Sequence, residues 1–124
     1  MEEGYVRAES AEAIITLSVR TTRERVQRVE TVIDTGSNRD LILPSAVIED
    51  LSPPMADSAE VELADGSTVM LAGYRVWVIW HGRLRNVVAL EAEIDTALAG
   101  MTLLAGSRLS VDVVPGGDVR VEEL

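Results

Sequence analysis

The stretch TVIDTGSNRDLILP, residues 31–44, constrains what this chain can fold into more than any other. A β-branched run, Thr31–Val32–Ile33, ends at Asp34, turns through Thr35, Gly36 and Ser37, and gives way to a second apolar run at Leu41–Ile42–Leu43. Core-forming residues on both sides embed the turn in the body of the fold. Burying a carboxylate there is costly unless it is hydrogen-bonded or changes its protonation state. Gly36 lets backbone approach the carboxylate closely, so that its N–H can bond Asp34 and hold it coplanar with a partner. The Ser37 hydroxyl can reach the outer carboxylate oxygen, and the Thr35 hydroxyl can be buried against neighbouring backbone. Such a setting suits a carboxylate that handles protons. A surface turn is the plainer reading of Asp and Gly, and the apolar flanks count against it.

Strand signals dominate elsewhere. Residues 13–20 (AIITLSVR) and 25–34 (RVQRVETVID) are β-branched and partly alternating, with a hairpin turn expected at residues 21–24 (TTRE). Residues 43–51 predict one short helical turn, begun near Pro44–Ser45 and closed before Pro53–Pro54. Residues 59–76 read as the clearest hairpin, turning at Asp65–Gly66, a pair that favours the positive φ matched to strand twist. A second hairpin over residues 76–92 turns at His81–Gly82. Residues 100–109 predict a short helix, and residues 109–124 a last hairpin turning at Pro115–Gly116–Gly117. No linker divides the chain, so the expectation is one all-β domain spanning residues 1–124, with one or two short helices.

Composition narrows the function classes. Eleven basic residues, all Arg, stand against 21 acidic ones, for a net charge of −10. An acidic surface repels phosphates and anionic lipid, which argues against nucleic acid and membrane as partners. Cys is absent and His81 is the single His, so thiolate chemistry and His-cluster metal sites are excluded. No apolar run approaches the ~20 residues of a membrane span. The N-terminal MEEGYVRAES is acidic and polar, unlike a secretory signal. The expected location is cytoplasmic. His81 reads as a solvated turn residue rather than a catalytic base. Trp77 and Trp80, three apart on one strand, face opposite sides.

The order of these pieces resembles the retropepsins, the retroviral-type aspartic proteases, and is most similar to their small bacterial members. Apolar-apolar-Asp-Thr-Gly at residues 32–36 runs into an apolar segment ending in Pro44. VELADGSTVML stands where the family has its flap, with Ala64, Asp65 and Gly66 at the tip. The hairpin of residues 76–92 follows. Leu98–Ala99–Gly100 then matches the apolar-apolar-Gly segment that threads under the catalytic loop and leads into a short helix. The resemblance implies a closed β-barrel half assembled as a symmetric homodimer, with Asp34 catalytic and Thr35, Gly36 and Ser37 as its loop. It also implies a peptide or protein substrate, no metal and no cofactor. The chain departs from the pattern at Asn38 and Arg39, where retroviral members commonly have Asp directly after Ala or Ser. Its flap tip is Ala-Asp-Gly rather than glycine-rich, and Asp65 would bring negative charge to the cleft mouth, which either raises the proton affinity of the carboxylate pair or favours basic substrates.

Aspartic protease chemistry needs two carboxylates sharing one proton, and this chain carries one Asp-Thr-Gly. The near-repeat Ile94–Asp95–Thr96–Ala97 lacks the glycine and precedes Leu98 directly, so Asp95 reads as an ordinary loop residue. The second Asp34 is then expected from an identical chain across a two-fold axis, and the resemblance implies that each Thr35 grips the other subunit's backbone below the pair. VRVEEL, residues 119–124, is the candidate strand for closing the dimer. The leading reading is an aspartic endopeptidase. A peptide-binding or assembly module of the same fold without turnover, and an unrelated acidic β-domain with Asp34 as a turn residue, are its rivals.

Overall fold

The β-branched runs become strands whose alternate residues face one core. The computed structural model describes residues 1–21 and 24–124. Among the described residues the order is β1 (Glu2–Arg7), β2 (Glu12–Arg20), β3 (Val26–Ile33), β4 (Leu41–Pro44), α1 (Ser45–Leu51), β5 (Met55–Glu62), β6 (Thr68–Trp80), β7 (Arg83–Ala92), β8 (Ala97–Ala99), α2 (Met101–Leu104), β9 (Ser107–Val111) and β10 (Asp118–Glu123). The turn expected over residues 21–24 lies partly outside the described residues.

Strand pairing closes a barrel. The sheet order is β5-β6-β7-β4-β8-β3-β2-β1-β10-β9, and β2 also pairs with β6 through Val19↔Val78 and Arg20↔Trp77. β6, β7, β4, β8, β3 and β2 therefore form a ring. β2 manages this by dividing one of its edges: residues 12–15 pair with β1 and residues 19–20 with β6. Leu17, Val19, Leu41, Leu43, Val76, Val78, Val87, Ala89, Ala97 and Ala99 are buried in the one core, and α1 adds Ile48 and Leu51. Each large aliphatic side chain so buried contributes about 1.5–3 kcal/mol. The core runs on Val, Leu, Ile and Ala, as the near-absence of aromatics requires; Trp80 is its one buried ring, while Trp77 is only half-buried on the opposite face.

Two appendages leave the barrel. β5 hangs from the outer edge of β6 to make a long hairpin. Its Leu63–Ser67 connection is a tight turn: Gly66 N–H donates to the Leu63 carbonyl, Leu63 N–H to the Ser67 carbonyl, and Gly66 alone takes positive φ. This three-residue loop with a left-handed glycine differs from the two-residue Asp-Gly turn of the sequence reading. The two-residue form occurs instead at His81–Gly82, where both residues have positive φ. On the other side, β1, β10 and β9 extend from β2.

Three further expectations need correction. The helix of residues 100–109 is only the four-residue α2. Gly106 takes positive φ and Leu109 lies in β9, its partial burial coming from a sheet face rather than a helical one. β10, the candidate for closing a dimer, lies inside this chain's own sheet with β1 and β9 on its two sides, so its hydrogen-bonding edges are largely taken. His81 is not a solvated turn residue. It is half-buried, its Nε2 lies 2.8 Å from Ser107 Oγ, and its backbone N–H donates to Glu2.

Candidate active site

Asp34 leaves β3 at the point where parallel pairing with β8 ends. Its backbone N–H donates to the Ala99 carbonyl at 2.8 Å, which seats it directly beside Leu98–Ala99–Gly100. The side chain is half-buried, and its Oδ1 accepts the Gly36 N–H at 3.0 Å, the contact expected from the glycine. The Asp34 carbonyl accepts the Ser37 N–H at 3.2 Å, closing the turn. Ser37 Oγ does not serve the carboxylate; it accepts the Arg39 N–H at 3.3 Å. Thr35 is exposed rather than buried.

The loop after the turn is held by the start of α2. The Ser37 carbonyl accepts the Met101 N–H, the Asn38 carbonyl the Thr102 hydroxyl, the Arg39 carbonyl the Thr102 N–H and the Asp40 carbonyl the Gly100 N–H. Four consecutive acceptors are thus satisfied, three by backbone N–H groups that a helix start leaves without intrahelical partners and one by the Thr102 hydroxyl. The approach is so close that a Cβ on Gly100 would collide with the Arg39 carbonyl and sit 2.9 Å from Ser37 Oγ. Only glycine fits this crossing, which gives the apolar-apolar-Gly signature its physical meaning.

Opposite the loop stands the β5–β6 hairpin. Between them is a cavity of about 640 Å³ lined by Asp34, Ser37, Arg39 and Ile42 on one side and by Val61 and Ala64 of the hairpin on the other, with Glu60 and Glu62 also on the wall. Of the three tip residues expected to cover the cleft, Ala64 lines it; Asp65 and Gly66 lie exposed beyond it. Asp65 is occupied locally. The Ser67 hydroxyl and the Ser67 N–H both donate to its Oδ1 and hold its carboxyl below the ordinary value. Arg39 lines the cavity, and its Nη2 donates to the Glu60 carbonyl at 2.8 Å, a contact the sequence does not announce. The lining role of Ile42 and of Glu60–Leu63 was not expected, since alternation marks a face but not what lies across from it. Asp95 is exposed between β7 and β8. Among the described residues no three His, Asp or Glu side chains gather in a way that could hold a metal ion. No helix among them is long and apolar enough to cross a membrane.

A closed barrel with an Asp-Thr-Gly loop crossed by a β-Gly-helix segment, and a hairpin facing it, is the fold of the retropepsin-like aspartic proteases, and this chain has that fold. Among solved structures it is similar to EIAV protease complexed with the inhibitor HBY-793, with a TM-score of 0.61 at 18% identity over 75% of this chain and 85% of that one. It is also similar to a retropepsin-like aspartic protease from Rickettsia conorii, with a TM-score of 0.58 at 15% identity over 98% of this chain and 90% of that one. No family model matches the sequence, and no curated protein shows a significant match.

Proposed function

We propose that residues 1–124 form one protease domain, an aspartic endopeptidase that works as a symmetric homodimer with one Asp34 from each subunit. The observation that carries this reading is the position of Asp34: half-buried, held by the Gly36 N–H, and facing a cleft under a hairpin on a retropepsin-like fold. Thr35 and Gly36 are exposed, Gly36 on the cavity wall, and Met101, whose N–H donates to the Ser37 carbonyl, is 48% exposed although apolar. That surface is free to meet a second copy, which fits the need for a second carboxylate.

Two facing carboxylates cannot both ionise at contact distance, so they hold one proton between them. The ionised Asp34 takes a proton from a bound water, and the water oxygen attacks the peptide carbonyl carbon. The protonated Asp34 gives its proton to the carbonyl oxygen. The resulting diol collapses as a proton passes to the leaving amine and the C–N bond breaks. The substrate is an extended peptide, with main-chain pairing to the hairpin and side chains in the cleft.

The test is a proteome-derived peptide library digested by wild type and by Asp34→Asn. Wild type is expected to cut, and the variant to lose about a thousandfold or more while keeping its fold. Binding of a pepstatin-type mimic to wild type but poorly to the variant supports the same mechanism. Cleavage by the variant at the wild-type rate overturns it. Peptide binding with no cleavage by wild type favours the non-catalytic binding module instead.

A further inference from the structure

The cavity beside Asp34 and a second cavity of about 310 Å³ share Asn38 and Arg39 in their walls. Asn38, Arg39, Asp57, Val88 and Thr102 line this second cavity. Arg39 is thus part of the wall of both. Its backbone cannot shift easily, because its N–H is held by Ser37 Oγ and its carbonyl by the Thr102 N–H. From that fixed base the side chain crosses to β5 and donates Nη2 to the Glu60 carbonyl, 21 residues away in sequence.

That carbonyl belongs to a sheet edge. Among the described residues β5 is a terminal strand of the sheet and pairs only with β6. Edge carbonyls are the acceptors that an added extended peptide uses. Arg39 occupies this one in the free chain. It does so as a cation on a neutral acceptor, and among the described residues it makes no ion pair with a carboxylate, although Glu60 and Glu62 stand on the same wall. A guanidinium bonded to one carbonyl is held less firmly than one forked onto a carboxylate, so the contact is strong enough to position the strand and weak enough to yield.

We propose that Arg39 is a positioning residue for the reaction. It latches the flap strand β5 to the loop that carries Asp34, and it divides the groove, so that a peptide long enough to run from one cavity into the other must take the Glu60 carbonyl from it. The part of this concerning peptide entry rests on the protease reading above; the latch itself does not. The guanidinium sets the separation between flap and loop before substrate arrives. Its release by longer peptides makes length a determinant of affinity.

Hydrogen–deuterium exchange on the full chain tests the latch directly, comparing wild type, Arg39→Ala and Arg39→Lys. In Arg39→Ala, amides of residues 59–69 should exchange about tenfold faster, with barrel amides unchanged. Arg39→Lys, which keeps one donor on the same side, should recover part of the protection. Unchanged exchange at residues 59–69 in Arg39→Ala overturns the proposal. So does a rise spread equally over the whole sheet, since that reports a loss of stability and not a latch. Kinetics give the second readout. The ratio of KM for a four-residue peptide to that for an eight-residue peptide should rise several-fold in Arg39→Ala, because the longer one no longer displaces the guanidinium. An unchanged ratio overturns the division of the groove. If wild type cuts neither peptide, the protease reading fails while the exchange result still decides the latch.

Discussion

At the scale of single residues, the site is a matter of which donors meet which acceptors. Asp34 takes its backbone bond from β8 and its carboxylate bond from Gly36, and the carbonyls of residues 37–40 are all met from residues 100–102. Gly100 is the residue this arrangement tolerates least well in any other form. Gly100→Ala places a methyl against the Arg39 carbonyl and Ser37 Oγ. The substitution should cost about 1–3 kcal/mol, read by urea denaturation, and should lower kcat as the Asp34 loop is pushed off β8. At the tip of the β5–β6 hairpin, Asp65 titrates below its ordinary value of 3.8 because the Ser67 hydroxyl, and then the Ser67 N–H, bond its ionised form. A depressed folded-state pKa means that its contribution to the turn is fully present above 3.8 and is lost as pH falls through the lowered value. The Ser67 amide resonance should therefore hold steady from neutral pH through the mildly acidic range and move only below about pH 4. Asp65→Ala should show the loosened signal at neutral pH already. Much of this scale was legible in the sequence. Asp-Thr-Gly between apolar runs announced a bonded carboxylate, and Gly36 supplied the bond. The partner of Ser37 was not legible, because its hydroxyl is claimed by a backbone N–H two residues on, and a choice among nearby donors depends on the exact path of the turn.

At the scale of elements, alternation located the strands well and their neighbours poorly. β2, β3 and the paired strands β6 and β7 stand where β-branched alternation placed them. β1 went unread because EEGYVR is mostly polar; its strand character comes from pairing on both sides, with β2 and β10, and only Val6 reaches the core. The residues after Gly100 mimic a longer helix because Met101, Leu104 and Leu109, with Leu103 beside them, read as one apolar face, yet a left-handed Gly106 ends the run and a strand follows. Asp65–Gly66 and His81–Gly82 look alike as dipeptides and build different turns. Only the second aligns its two strands without a bulge, so Trp80 and Arg83 face each other directly. The core these elements share should respond as one unit. Leu17 is fully buried on β2, the strand where the ring closes. Leu17→Ala should destabilise by about 2–5 kcal/mol, read as a lower urea midpoint with an unchanged slope.

At the scale of the whole molecule, a ring of six strands carries Asp34 and a hairpin extends from one edge of it. The carboxylate, bonded by Gly36, stands across the cavity from that hairpin. The sheet leaves β5 and β9 as its end strands, and β10, bonded within its own chain, is poorly placed to knit two subunits together. The dimer proposed above would have the free edge of β9 and the exposed Thr35, Gly36 and Met101 to build on, rather than an edge of β10. No single-chain reading of the sequence could reach that conclusion, because a strand's second partner is not written in its own residues. The central claim is that one active site takes an Asp34 from each of two chains. The direct measurement is peptide cleavage by an equimolar mixture of wild type and Asp34→Asn, unfolded together and refolded at fixed total protein. If each site needs two intact copies, random pairing leaves about a quarter of the dimers competent, and activity falls to about a quarter of the all-wild-type value. Activity at about half that value means that each wild-type chain works with a carboxylate of its own, and contradicts the account.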